Sequence, residues 1–306
     1  MQTYLIRRFL TTIVVLFGVS LMTFAISFLL PGDPARTIAG PRASEDVVRE
    51  LRQEWGLDQP VPVQYVRYMS RLLRGDLGRS FLTKREVLDS ILLRLPATAE
   101  LALAGELAIL LIGIPVGIIS AIKHYTAFDR VSMLTALLGI CLPRFFLGLL
   151  ALYVFAFKLS VFPLGGYGGL KHVLLPALTL GLTGGAWYAR VLRSSMLDII
   201  QADYIRTARS KGLRESVVIL RHALRNAAGP VVTMIGSDVG SLLGGTLILE
   251  KVFGWPGIGL QAWTAIDYMD IPLIMGTVLV GAVFIVGGNF LADIARGIVD
   301  PRIRYS

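Results

Sequence analysis

The 306-residue chain has a single cysteine, Cys141, inside an apolar run, so neither a disulfide framework nor a thiolate metal cluster is available to it. Histidine is nearly as scarce. His124, His172 and His222 stand at the edges of apolar segments and do not cluster, which argues against a metal site. No glycine is followed by lysine anywhere, and the phosphate-binding loop GxxxxGK(S/T) is therefore missing. Without HExxH or a nucleophile beside a base, the polypeptide is not expected to be an enzyme or to hold a cofactor of its own. Charged residues make up only 17% against 54% hydrophobic, and the mean hydropathy is +0.66, which excludes an ordinary soluble domain. The net charge of +9 does not indicate nucleic acid, because the basic residues are scattered among loops rather than gathered on one face.

What the chain has instead is long apolar segments. Phe9 to Leu30 runs for 22 residues without a charge, preceded by Arg7 and Arg8 and ended by Pro31, and this predicts a spanning helix. PGDPAR follows it where a cleavage site would need small residues, so the segment is expected to stay on the protein. Thr98–Ile122, Val131–Phe157, Val173–Ala189, Ala227–Leu249 and Ile271–Leu291 bring the expected spans to six. With the N-terminus inside, the inner pieces hold 15 lysines and arginines and the short outer loops 3, so both termini are expected to be cytoplasmic. The polar stretch from Gly32 to Leu95 then falls outside. Ser44 is placed to cap a helix with Val47, Val48, Leu51 and Trp55 on one stripe and Gly56 as its stop. Beyond a turn at Pro60 and Pro62, a second stripe of Val63, Val66, Met69 and Leu73 runs to near Gly75. Two helices packed on the membrane surface are expected, and the glycine-rich pieces GGYGG and GWPGIG are read as outer loops.

Between two apolar segments lies DYIRTARSKGLRESVVILRHALRN, Asp203 to Asn226. Tyr204, Ile205, Ala208, Leu213, Val217, Leu220 and Leu224 recur near helical spacing among six basic residues, predicting two short amphipathic helices with Gly212 between them. The stretch resembles the cytoplasmic loop of bacterial ABC importer permeases, in which EAA, three residues, Gly, nine residues and IxLP follow one another. Arg206, Thr207 and Ala208 occupy the first places and His222 to Arg225 the last. Arg206 in place of Glu and Arg225 in place of Pro resemble the peptide and nickel branch, with its RTARxKG and HxLRNA. The strings LPGDP, GLDQP, VQY, RGDLGRS, LPATAEL, LPALTL, RVLRSSMLD, LLGGTLILEKVFGWPGIG and DPRIR extend that resemblance over nearly the whole chain.

The resemblance implies an all-α, polytopic permease of the type I importer core. It would comprise an N-terminal span (1–31), an extracytoplasmic helical insertion (32–96), a transmembrane domain (97–297) with a coupling loop at 196–226, and a cytoplasmic tail (298–306). Cargo would be di- or oligopeptides, glutathione or a nickel or metal chelate. Expected partners are a second, similar permease forming a heterodimer, two cytoplasmic ATPase subunits that bind ATP and magnesium, and an extracytoplasmic solute-binding protein, in a bacterial or archaeal inner membrane. Docking of the ATPase would use Asp203, Tyr204, Arg206, Thr207, Ala208, Lys211, Gly212 and Leu213, with Ala208 letting a partner backbone come close. A self-contained secondary carrier is the other class, but it would call for an internal repeat and coupling carboxylates, and the long basic loop favours the importer. Glu106, Arg144 and Asp238 fall inside apolar segments, where an ionised group costs on the order of 3 kcal/mol. They either line the substrate path or form a structural pair, Arg144 with Glu106 or Asp238.

Overall fold

The computed structural model describes residues 2–29, 34–40 and 42–299, with the side chains of 6–26, 35–36, 39–40, 42–53 and 56–294. Pro31, most of the LPGDP string, the Trp55 and Arg296 side chains and the DPRIR tail with Arg302 and Arg304 lie outside those residues. Among the described residues there is no strand, only one antiparallel bridge between Arg79 and Glu86. The protein is all-helical.

Helix α1 (Gln2–Leu29) leads to three short helices, α2 (Pro34–Ala39), α3 (Glu45–Trp55) and α4 (Val61–Leu72). As expected, α3 stops at Gly56, which is left-handed at φ 65° and whose N–H turns back onto the carbonyl of Gln53. Val48 is buried but Val47 is exposed, so the stripe expected on α3 is narrower than the sequence suggests. On α4 the expected stripe does not face the rest of the protein. Val63, Val66 and Leu73 are exposed, and the helix packs through its tyrosines: Tyr65 stacks edge-on to Phe24 at 5.1 Å, Tyr68 lies 6.0 Å from Phe24, and the Tyr65 hydroxyl is 3.0 Å from that of Ser20. Aromatic rings reach α1, whereas shorter aliphatic side chains on the neighbouring face do not.

Next come α5 (Val87–Ile122), α6 (Ala127–Cys141) and α7 (Arg144–Ala151), the last continuing as a wider π-turn over Leu152–Lys158. The expected straight span Val131–Phe157 is a bent pair, turned by 104° between α6 and the helix from Arg144 to Lys158. Pro143 at the break cannot donate a backbone hydrogen bond, and it biases Leu142 to the extended conformation that it adopts, ψ 132°. Helix α8 (Leu170–Ile200) is central to the buried core, with Leu180, Tyr188, Leu192 and Met196 nearly inaccessible. It leads to α9 (Asp203–Ser210), α10 (Glu215–Val217), a π-turn over Val218–Ala223 and α11 (Leu224–Ala227). Helices α12 (Gly229–Leu243) and α13 (Leu247–Phe253) form a second bent pair, at 59°, before α14 (Ile258–Asp267) and α15 (Ile271–Val299). Among the described residues, three helical stretches are long and apolar enough to cross a bilayer, Ile6–Ile26, Val87–Ile122 and Ile271–Ile294.

Small residues decide which helices meet. Along α5, Gly113 and Gly117 press on Gly185 and Ala189 of α8, and a Cβ at Gly113 would fall 2.8 Å from the Gly185 carbonyl oxygen. Along α12, Gly236, Gly240 and Gly244 face Ala292, Gly288 and Gly281 of α15 in the same way. Between lipid-solvated helices such close backbone contact, rather than burial of oil from water, supplies the attraction. GWPGIG is not a loop in water. Trp255 is fully buried and its Nε1 donates to the Ala97 carbonyl at 2.8 Å, while Thr98 Oγ1 accepts from Ile258 N at 2.8 Å.

Candidate functional site

Helix α9 follows α8 after a two-residue break and folds back on the π-turn. Ile205 and Ala208 of α9 and Val218, Ile219 and Ala223 of the π-turn belong to one buried cluster. Ala208 is thus turned inward, and its expected role of admitting a partner's backbone is corrected: its small side chain lets α9 sit on its own loop. Facing out are Asp203, Tyr204, Arg206, Thr207, Lys211, Gly212 and Leu213. Two of these are large hydrophobics left in water, Tyr204 at 44% exposure and Leu213 at 41%.

The turn between the helices is closed from both sides. Gly212 takes φ 76°, and its N–H donates to Arg209 O at 2.9 Å. Across the turn the Arg209 guanidinium donates to both oxygens of Glu215, at 2.7 and 3.2 Å. This bidentate bond holds the Glu215 carboxyl below the usual carboxylate range. Neither partner was singled out from sequence, although opposite charges flanking a glycine turn are a readable sign. Near the ends of α6 and α8, Arg193 Nε and Nη2 donate to Asp129 at 2.6 and 2.8 Å, and Asp129 also accepts from Tyr125 N. This second clasp ties the Lys123–Arg130 connection to the helix that carries α9.

Within the bundle, Glu106 of α5 is buried, and Oε1 accepts from the Tyr188 hydroxyl of α8 at 3.3 Å. Its Oε2 has no partner among the described residues. Asp238 of α12 is half-buried and interacts with the same hydroxyl, so three helices converge on one polar cluster. Arg144 is not in it. Among the described residues it forms no salt bridge with either carboxylate, because the bend at Pro143 carries it to the exposed first residue of α7, and it acts on Asp238 only through space. The expected structural pair is therefore corrected to a tyrosine between two carboxylates. Tyr188 was missed because a neutral aromatic in an apolar run carries no sign of its polar partners. Glu250 was missed too, because it stands one residue beyond the apolar segment Ala227–Leu249. Fully buried on α13, it accepts from Leu260 N at 2.8 Å and braces the start of α14.

Residues 113–305 match the family described as binding-protein-dependent transport system inner membrane component, and residues 1–102 match that family's N-terminal region. The glutathione transport system permease protein of Escherichia coli K12 is 41% identical over 305 residues, covering all of both chains. Its counterpart in Salmonella paratyphi A is also 41% identical over 305 residues, again covering both chains completely. The dipeptide transport system permease protein of Alkalihalophilus pseudofirmus is 39% identical over 333 residues, with both chains fully covered.

Proposed function

This chain belongs to the binding-protein-dependent transport system inner membrane components and is a permease subunit of an ABC importer, and on that premise we propose that it forms half of a translocation pathway driven by ATPase subunits docked at α9. The observation that carries the docking surface is the pair of large hydrophobics, Tyr204 and Leu213, exposed beside the braced Gly212 turn while Ile205 and Ala208 are turned inward. A groove on the ATPase would receive them, with Arg206 and Lys211 at the rim. ATP and magnesium are assigned to that partner.

Six crossings support the reading best. Helix α8 has 31 residues, about 46 Å at 1.5 Å per residue, and the two bent pairs join the three long apolar helices. The excess of inner lysine and arginine puts the docking loop and both termini in the cytoplasm and residues 32–96 outside, where a solute-binding protein would deliver cargo. A second, similar permease completes the pore. The named relatives are permeases for glutathione and for dipeptides, and we assign cargo of the same chemistry, a short peptide. Glu106, Tyr188 and Asp238 are placed on the path, where they offer oxygens to the peptide's ammonium group.

Co-purification from native membranes tests the docking surface. Tyr204→Ala and Leu213→Asp are expected to insert normally but to lose the ATPase subunits and ATP-dependent uptake of labelled glutathione or dipeptide. Unchanged recovery of the ATPase with both variants would sink the assignment.

A further inference from the structure

Three cations at one end of the bundle are left without a carboxylate. The apolar runs Thr98–Ile122, Val131–Phe157 and Val173–Ala189 adjoin Lys123, Arg130 and Arg190, so each of these stands where a chain segment leaves the apolar layer. All three are exposed, and among the described residues none forms a salt bridge.

Packing brings them together. On α8, Ala186 lies against Gly139 of α6 and Arg193 bonds to Asp129, and Arg190 is one turn from each on the same side of the helix. It therefore stands at the seam between α6 and α8, near Arg130, which follows Asp129 directly. Lys123 closes the group from the end of α5, with its Nζ 6.0 Å from the centre of the Phe128 ring. Because Gly117 of α5 meets Ala189, Arg190 starts about 7 Å deeper than Lys123 at 1.5 Å per residue, and its flexible stem carries the guanidinium outward.

The carboxylate at the centre of this group is already used. Asp129 is 3% exposed, Oδ1 accepts from Arg193 Nε at 2.6 Å, and Oδ2 accepts from Arg193 Nη2 at 2.8 Å and from Tyr125 N at 3.0 Å. A ligand's ammonium group would find no free oxygen there. The same bond holds Tyr125 in the left-handed region, at φ 62°, with its ring 75% exposed. A strained backbone thus presents an amphipathic ring beside three cations.

We propose that Lys123, Arg130 and Arg190 form a site for the phosphate of an anionic phospholipid, in the leaflet on the side of α9, with Tyr125 among the headgroups. Basic pockets between spanning helices suit such lipids, and tyrosine collects at that level of a bilayer. A zwitterionic headgroup is disfavoured, since its ammonium would meet only cations. The inference requires neither the ATPase nor the cargo.

The test uses the full-length protein in nanodiscs of phosphatidylcholine. Cys141 is exposed and would compete for label, so Ala127→Cys is made in a Cys141→Ser background and coupled to a fluorophore. Brominated phosphatidylglycerol is expected to quench it at a far lower mole fraction than brominated phosphatidylcholine. Replacing any one of the three cations by Gln should reduce that preference about fivefold, the effect of one basic residue at an anionic surface. Arg130→Lys and Arg190→Lys should keep it, which separates loss of charge from loss of packing. Equal quenching by the two lipids overturns the proposal, as does a preference that survives all three Gln changes. An equal loss when Arg71, Arg74 and Arg85, exposed before α5, are changed to Gln would also overturn it, because the attraction would then belong to net charge alone. So would a preference abolished by millimolar inorganic phosphate at constant ionic strength, which assigns the cations to a soluble anion, or by added ATPase subunits, which makes this a protein contact.

Discussion

Gly212 has φ 76°, and nothing lies within 4 Å of where its side chain would begin, so a substitution acts through the backbone alone. An L-residue there costs about 1–2 kcal/mol, least for Asn and most for a β-branched side chain. Gly212→Asn is therefore expected to keep ATPase co-purification near the native level and Gly212→Val to lose most of it; equal recovery would refute the strain account. Ala208→Trp is expected to abolish uptake by prising α9 from its own loop, and protease sensitivity of the loop in the isolated permease is the check. The Asp129–Arg193 clasp is partly buried, with 4% and 22% of the two side chains exposed. Asp129→Leu alone strands a guanidinium and is expected to cost about 3 kcal/mol, much of it recovered when Arg193→Leu is added. Thermal unfolding in detergent compares them. The Arg209–Glu215 bond has its own pH signature: the folded carboxyl lies below its ordinary value, so its stabilisation is complete above about pH 4.3 and is lost as pH falls through the folded value. The protection factor of the Gly212 amide, its exchange rate corrected for the intrinsic pH dependence, should stay constant between neutral and mildly acidic pH and fall only below that range. Glu106 and Asp238 were legible as charges in apolar runs. What joined them was not, since Tyr188 becomes a polar centre only when α5, α8 and α12 are brought together.

At the scale of the element, spacing was readable and orientation was not. Residue pattern located α9 and the helix after Gly212, and it placed the stop of α3 at Gly56. On α4 a periodic aliphatic stripe says that the helix has an apolar side, but not that the neighbouring tyrosines are what meets α1. Pro143 and the Gly244–Gly245 pair are legible as helix breakers inside two spans, but the size of the bends there is not. Neighbouring glycines on α15 make the packing account testable within one turn of helix. A Cβ at Gly287 meets nothing within 4 Å, whereas one at Gly288 would collide with Gly240. Gly287→Ala should therefore leave expression and thermal stability unchanged, and Gly288→Ala should part α12 from α15 and lower both. Equal behaviour of the two would mean that the helices are not held by backbone contact.

For the whole molecule, the small faces of Gly236, Gly240 and Gly244 are already occupied by α15, so a partner permease must approach α12 from another side. Ser241, exposed in the single chain, is the position from which contact is expected. A cysteine at 241 should cross-link to a second, different permease; cross-links only between two copies of this chain would contradict the heterodimer. Composition alone made the membrane class and the helical architecture legible. The number of crossings was less so, since α8 turns its glycines and threonines to the other helices and reads as too polar for its length. The same reliance on inward polar groups joins the segment before α5 to the bundle. Buried Asp270, just before α15, accepts from Ser80 Oγ and from the backbone N–H groups of Phe81 and Leu82, residues nearly 190 positions earlier. The strip before α5 is thereby hinged to the top of α15, whose flanks rest on α1 and α12. A protein that pressed on this strip from outside would not merely dent a loop. It would tilt α15 as a lever tilts about its fulcrum, delivering torque to the helix that bears Asp238.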